Sequence, residues 1–257
     1  MHNGFCMKVK FWGVRGSIPI SSPKNSKYGG NTSCVEVKCN DKIIIFDSGT
    51  GIMPLGYDIT TRNIVKENNK KCLYVFFSHV HWDHIQDFPF FKPAFDSEYE
   101  INLYSSLHEN INIEGALRGQ MAPPYFPIQL KDMSACMKFK MIMGDDDVQI
   151  GNVSVKSIPL DHPNGSIGYK ITCENKSVAY ISDHEHTEES KQRMIGFLKE
   201  TNLVIFDAQY THEEYSGSDG SGGRKGGGHI VHGKLLLDWV EKQGPINLYL
   251  LTMDKKI

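Results

Sequence analysis

Three imidazoles and a carboxylate fall within six residues in Ser78-His79-Val80-His81-Trp82-Asp83-His84. Buried for packing alone, each would need its own polar partner, so the spacing reads as a ligand set. Imidazole and carboxylate donors suit zinc, manganese or iron. Side chains alternate along an extended segment, so His79 and His81 point the same way and can hold one ion. Asp83 and His84, past the end of that segment, can turn toward a second.

Other parts of the chain must complete such a centre. In Pro159-Leu160-Asp161-His162-Pro163, His162 follows an apolar run, and in Ala179-Tyr180-Ile181-Ser182-Asp183 the run ends on Asp183. Alone, either would be a turn or cap residue; beside the first cluster, both become ligand candidates. Asp47, in Asp47-Ser48-Gly49-Thr50-Gly51, has two readings: an Asx turn or helix cap, or a group that supports metal ligands. Cys34 and Cys39 could form a thiolate pair, but the alternating Val35-Glu36-Val37-Lys38 between them reads as strand.

The elements that must carry these residues are mostly strands. Leu73–Phe77, apolar, aromatic and β-branched, predicts a buried strand running into the cluster. Met7–Trp12, Ser33–Cys39 and Ile43–Asp47 precede it, with Asn40-Asp41 as a hairpin turn. After the cluster, Pro89 and Pro93 keep any helix in Ile85–Phe91 short or irregular. Ile101–Tyr104 is a strand and Glu109–Arg118 a modest helix. Met121–Pro127 is an ordered aromatic loop, either surface packing or a pocket wall. In the second half, Val153–Ile158, Ile167–Thr172, Val178–Ser182, Leu203–Phe206 and Ile246–Leu251 predict strands, with helices at Glu188–Lys199 and Lys234–Lys242. Ser216–Gly228 is rich in glycine. Strands then helix, twice over, predicts two similar halves of one layered α/β domain spanning residues 1–257, with no clear linker.

A chain of 257 residues can bury a substantial core. Its formal charge of −2 supplies no general attraction to nucleic acid, and no long basic arm is present. No apolar run approaches the roughly 20 residues that span a bilayer. The first residues lack the pattern of a signal peptide. The cysteines are scattered without CxxC pairs, as expected of reduced thiols in a cytoplasmic protein.

The Ser78–His84 motif, with His162 and Asp183 in the right order at strand ends, resembles the metallo-β-lactamase-fold hydrolases. The chain looks most like the branch containing ribonuclease Z and the cyclic phosphodiesterase of phosphonate breakdown. It is also similar to small bacterial proteins carrying Gly13-Val14-Arg15-Gly16-Ser17-Ile18-Pro19, Tyr28-Gly29-Gly30-Asn31-Thr32-Ser33-Cys34 and Asp47–Gly51. The resemblance implies a four-layer αββα sandwich with one or two zinc ions, manganese or iron being alternatives. His79, His81 and His162 would hold the first ion, Asp83 and His84 the second, and Asp183 would bridge them. Two ions roughly 3.5–4 Å apart can share a hydroxide and stabilise a leaving oxygen.

The implied reaction is hydrolysis of a small-molecule phosphodiester, such as a cyclic nucleotide. Asp83, as a ligand of the second ion, and His229, as proton donor to the leaving oxygen, would be the catalytic residues. His229 could instead cap a helix. A lactone or thioester hydrolase and a non-catalytic metal-binding scaffold are the alternatives, and no membrane partner is implied; a homodimer would fit. Relatives carry a further histidine after the last strand, where this chain reads Thr252-Met253-Asp254. The second ion is therefore expected to bind more weakly than the first.

Overall fold

The structure is a computed structural model, and it describes residues 7–23, 27–185, 188–207 and 247–251. The chain divides into two compact units, Met1–Ile142 and Met143–Ile257. The first contains β1 (Met7–Gly13), β2 (Cys34–Cys39), β3 (Lys42–Phe46), β4 (Lys66–Glu67), β5 (Lys70–Phe76), β6 (Tyr99–Ser105) and β7 (Cys136–Met141). They form a seven-stranded sheet in the order β1-β2-β3-β5-β6-β7, with β4 paired to β5. β1, β2 and β3 are antiparallel neighbours, and β3, β5, β6 and β7 run parallel. Parallel interior strands are covered on both faces, which explains why β3 and β5 are nearly continuous apolar runs. Asn40, at φ 54, makes the turn between β2 and β3, a conformation asparagine tolerates.

The helices of this unit are short. α1 (Ile52–Thr60) buries Ile52, Leu55 and Ile59 on one face. The sequence reading does not anticipate it, because Pro54 and Gly56 depress its propensity. Pro54 is harmless where it stands, since the first turn needs no N–H from it. α2 (Trp82–Ile85) is a single turn, followed by 3-10 turns at Phe88–Phe90 and Lys92–Phe95, as the prolines predict. α3 (Ile113–Gln120) begins four residues later than expected from Glu109. Glu109 and Asn110 adopt left-handed conformations, and Asn112 caps the helix by accepting from Gly115 N at 2.9 Å. Ile45, Leu73, Val75, Phe77, Ile85, Phe88 and Leu117 belong to one buried cluster.

The second unit contains β8 (Asp147–Ile150), β9 (Val153–Leu160), β10 (Ser166–Cys173), β11 (Lys176–Ile181), β12 (Leu203–Asp207) and β13 (Asn247–Leu251). Its sheet runs β13-β12-β11-β10-β9-β8. β8 to β11 form an antiparallel meander, while β11, β12 and β13 are parallel. α4 (Glu188–Leu198) places Met194 and Leu198 against Ile158, Ile181 and Phe206. β7 and β8 had no clear signal in sequence: the Lys and Met side chains of Cys136–Met141 leave that edge strand mostly exposed. Both units thus repeat one plan, an antiparallel meander whose last strand meets a parallel neighbour. The expected helix at Lys234–Lys242 and the glycine-rich Ser216–Gly228 lie outside the described residues.

Candidate metal centre

In the first unit the site begins where β3 and β5 end side by side, with Phe46 paired to Phe76. Asp47 N donates to Phe76 O at 3.0 Å, and Asp47 itself is left-handed, at φ 59. That turn sends its carboxylate onto the residues following β5. Ser78 N donates to Asp47 Oδ1 at 2.7 Å, and Ser78 Oγ lies 3.0 and 2.8 Å from the two carboxylate oxygens. His84 Nδ1 is 2.8 Å from Asp47 Oδ2, and His79 Nδ1 is 3.0 Å from Ser78 Oγ. Asp47, Ser78 and His84 are completely buried and His79 nearly so.

A carboxylate only accepts, so the geometry assigns the protons. His84 Nδ1–H and the Ser78 hydroxyl both donate to Asp47, and the Ser78 oxygen accepts from His79 Nδ1–H. Both rings therefore present Nε2 as the lone-pair nitrogen. The carboxylate is stabilised by three charge-assisted bonds, which is what makes its burial tolerable. Asp47 spends its carboxylate on Ser78 and His84, side chains of the sequence cluster.

The opposite sides of these rings face further donors. His79 Nε2 and His81 Nδ1 are 2.9 Å apart, and His84 Nε2 is 3.5 Å from Asp83 Oδ2. Two nitrogens on one tetrahedral zinc, each at ~2.0–2.1 Å, would stand roughly 3.3 Å apart, close to the first pair. Imidazole and carboxylate donors turned toward each other, with their far nitrogens anchored, fit a divalent metal ion.

The backbone holds them there. His81 is the extended residue before α2, and His84 N donates to His81 O at 3.0 Å. Ser48 N donates to His84 O at 2.7 Å, and Asp87 N to Ser48 O at 3.2 Å, tying α2 to the loop after β3. Asp83 Oδ2 accepts from Ser17 N at 2.6 Å. The sequence reading did not find Ser17, because a backbone amide has no signature in residue type. Its only trace was the Gly13–Pro19 motif.

In the second unit, His162 lies just beyond β9, in a turn where Gly165 N donates to His162 O at 2.9 Å. Asp183 follows β11, is buried, and is left-handed at φ 51. Ser182 Oγ donates to Asp183 Oδ2 at 2.6 Å. Asp47 and Asp183 thus hold the same place in the two sheets, each after the last meander strand. The neighbouring His184 is also buried, and its Nδ1 accepts from Asp161 N at 3.2 Å. Asp207 is buried at the end of β12. His229, His232 and Asp254 lie outside the described residues. Cys34 and Cys39 stand at opposite ends of β2. Five residue steps along the strand separate them by about 17 Å, so they do not share an ion.

These two sheets and the strand-end histidines and aspartates are the hallmarks of one superfamily. The family model of the beta-lactamase superfamily domain matches residues 43–247, and the chain belongs to that superfamily. Its fold is that of the metallo-β-lactamases.

Solved structures with this fold match nearly end to end at low identity. The metallo-beta-lactamase fold protein YhfI from Bacillus subtilis is 16% identical, with 95% of this chain and 96% of that one covered and a TM-score of 0.62. The short form of human tRNase Z (ELAC1) is 14% identical over 94% and 91%, with a TM-score of 0.64. A diphosphatase from the PhnP family is 13% identical over 96% and 87%, with a TM-score of 0.61. No curated protein sequence matches the chain.

Proposed function

We propose that this protein is a metal-dependent phosphodiesterase acting on a small, nucleotide-type diester. The observation that carries the reading is the Asp47–Ser78 relay, which turns His79 and His84 so that both offer Nε2 beside His81 and Asp83. By the family resemblance, His162 and Asp183, each just past a strand end of the second unit, would be further ligands. Zinc is the metal this imidazole-rich set favours. Held there, one or two divalent ions would polarise a phosphoryl oxygen and lower the pKa of water. The chain's own part is to hold the imidazoles in fixed tautomers and to fix the Asp83 carboxylate through the Ser17 amide. His229 would donate a proton to the leaving oxygen.

Phosphorus chemistry is supported by the kinds of neighbour that share the fold, a tRNase Z and a diphosphatase. A net charge of −2 favours a small substrate over a large polyanion. No helix among the described residues is long and apolar enough to cross a membrane. We place the protein in the cytoplasm on the scattered spacing of its cysteines in sequence.

The test pairs metal content with turnover. Zinc- or manganese-loaded protein should hydrolyse bis(p-nitrophenyl) phosphate and leave simple lactones intact, and a chelator should stop the reaction. His81→Ala should abolish turnover and reduce the bound metal. Lactone hydrolysis without diester hydrolysis would overturn the proposed substrate class; unchanged metal content in His81→Ala would overturn the assigned centre.

A further inference from the structure

The Gly13–Pro19 loop bonds to Asp83 in a way that residue types alone did not reveal. Ser17 is left-handed at φ 65, at the centre of a three-residue turn in which Ile18 N donates to Gly16 O at 2.8 Å. A serine is strained in that conformation, and it persists only if its surroundings hold it. Arg15 is what closes the turn: its Nε donates to Ile18 O at 2.8 Å. The Arg15 side chain is buried, and its backbone is fixed by Arg15 N donating to Asn31 O at 3.0 Å and by a bridge to Thr32. Thr32 is locked to the loop after β3: Thr32 N donates to Thr50 Oγ1 and Thr50 N to Thr32 Oγ1, both at 2.8 Å. A rigid path therefore runs from the Asp47–Gly51 loop through Thr32 and Arg15 to the Ser17 amide. That amide ends on the carboxylate oxygen of Asp83, the oxygen nearest His84 Nε2.

We propose that Arg15 is a positioning residue of the second ion site, acting through the Ser17 amide to hold the Asp83 carboxylate beside His84. The inference rests on the reading of Asp83 and His84 as ligands of a second ion. The bond assigned to the positioning is the one from Arg15 Nε to Ile18 O. Glutamine carries a nitrogen at the place of arginine Nε, and methionine has similar reach with no donor. Arg15→Gln should therefore keep the clamp and Arg15→Met should lose it, although both remove the charge.

Apo protein titrated with zinc against a chromophoric chelator should resolve a tight and a weak binding class in the unaltered chain. In Arg15→Met the weak class should lose about tenfold in affinity while the tight class is unmoved. Arg15→Gln should restore it. Equal loss in both classes, no loss in Arg15→Met, or equal loss in the two variants would overturn the proposal. If Arg15→Met does not fold, Arg15→Met in a Ser17→Gly background, where the strain at position 17 is relieved, set against Ser17→Gly alone makes the same comparison. A single binding class in the unaltered chain would refute the two-ion reading itself, before any variant is made.

Discussion

Asp47 carries more of the site than its ordinary appearance in the sequence suggests. Its carboxylate takes the Ser78 amide, the Ser78 hydroxyl and the His84 ring. Asp47→Ala would leave those donors buried without an acceptor. We expect a stability loss of about 3 kcal/mol in the metal-free protein, and tenfold to a hundredfold weaker zinc binding. Denaturant melts and zinc titration measure the two effects. Asn is at ease in the left-handed region, so Asp47→Asn should lose less stability while still weakening zinc binding. The histidines were legible as ligands from their spacing alone. What the sequence could not display was the direction of each ring, because a hydrogen bond from the ring to Ser78 or Asp47 sets it. His184 makes the same point: adjacent to Asp183 it looks like one more ligand, yet its Nδ1 accepts the Asp161 amide.

Among elements, the strand ends were legible and the loops that lock them were not. β3, β5, β11 and β12 appear as apolar runs that lead into Asp or Ser, because parallel or covered strands need continuous apolar sequence. α1 was hidden by Pro54 and Gly56, although its buried face is regular. The glycine of the Asp47–Gly51 loop that bears most directly on the site is Gly49. A Cβ there would lie 2.2 Å from Asp83 O, 2.3 Å from Thr32 Oγ1 and 2.8 Å from Ser33 N. None of these atoms is the end of a flexible chain. Gly49→Ala should cost about 3 kcal/mol or more and push α2 away from the loop after β3. The check is a thermal melt with a zinc titration: a variant as stable as the parent, with zinc affinity unchanged, would mean the loop has slack that the geometry does not show.

At the scale of the molecule, surface charge contributes a separate pH dependence. Lys66 and Lys71 each lie 2.8 Å from Glu98, at the start of β6, and hold its carboxyl down to about 2 from its ordinary value of 4.5. A carboxylate with a depressed folded-state pKa adds stability that is fully present above its unfolded value and lost as pH falls. The window is from about 4.5 down to about 2. Glu98→Gln should lower the unfolding midpoint slightly at pH 6, and the difference from the parent should close as pH falls through that window. Salt should shrink it at every pH, because the groups are exposed. If the gap stays constant from pH 6 to pH 2.5, Glu98 acts through packing alone. This pairing is independent of the centre, so it leaves zinc binding untouched.

Every proposed ligand lies outside the strands, in the turns or the single-turn helix α2 that follow them, and this has a consequence for descent. The apolar runs that build the sheets are written in separate residues from those that do chemistry. A lineage can therefore trade a histidine for an aspartate, or lose a ligand, without opening a hole in either core. Solved structures that share this fold with the chain at 13–16% identity are what such a division permits.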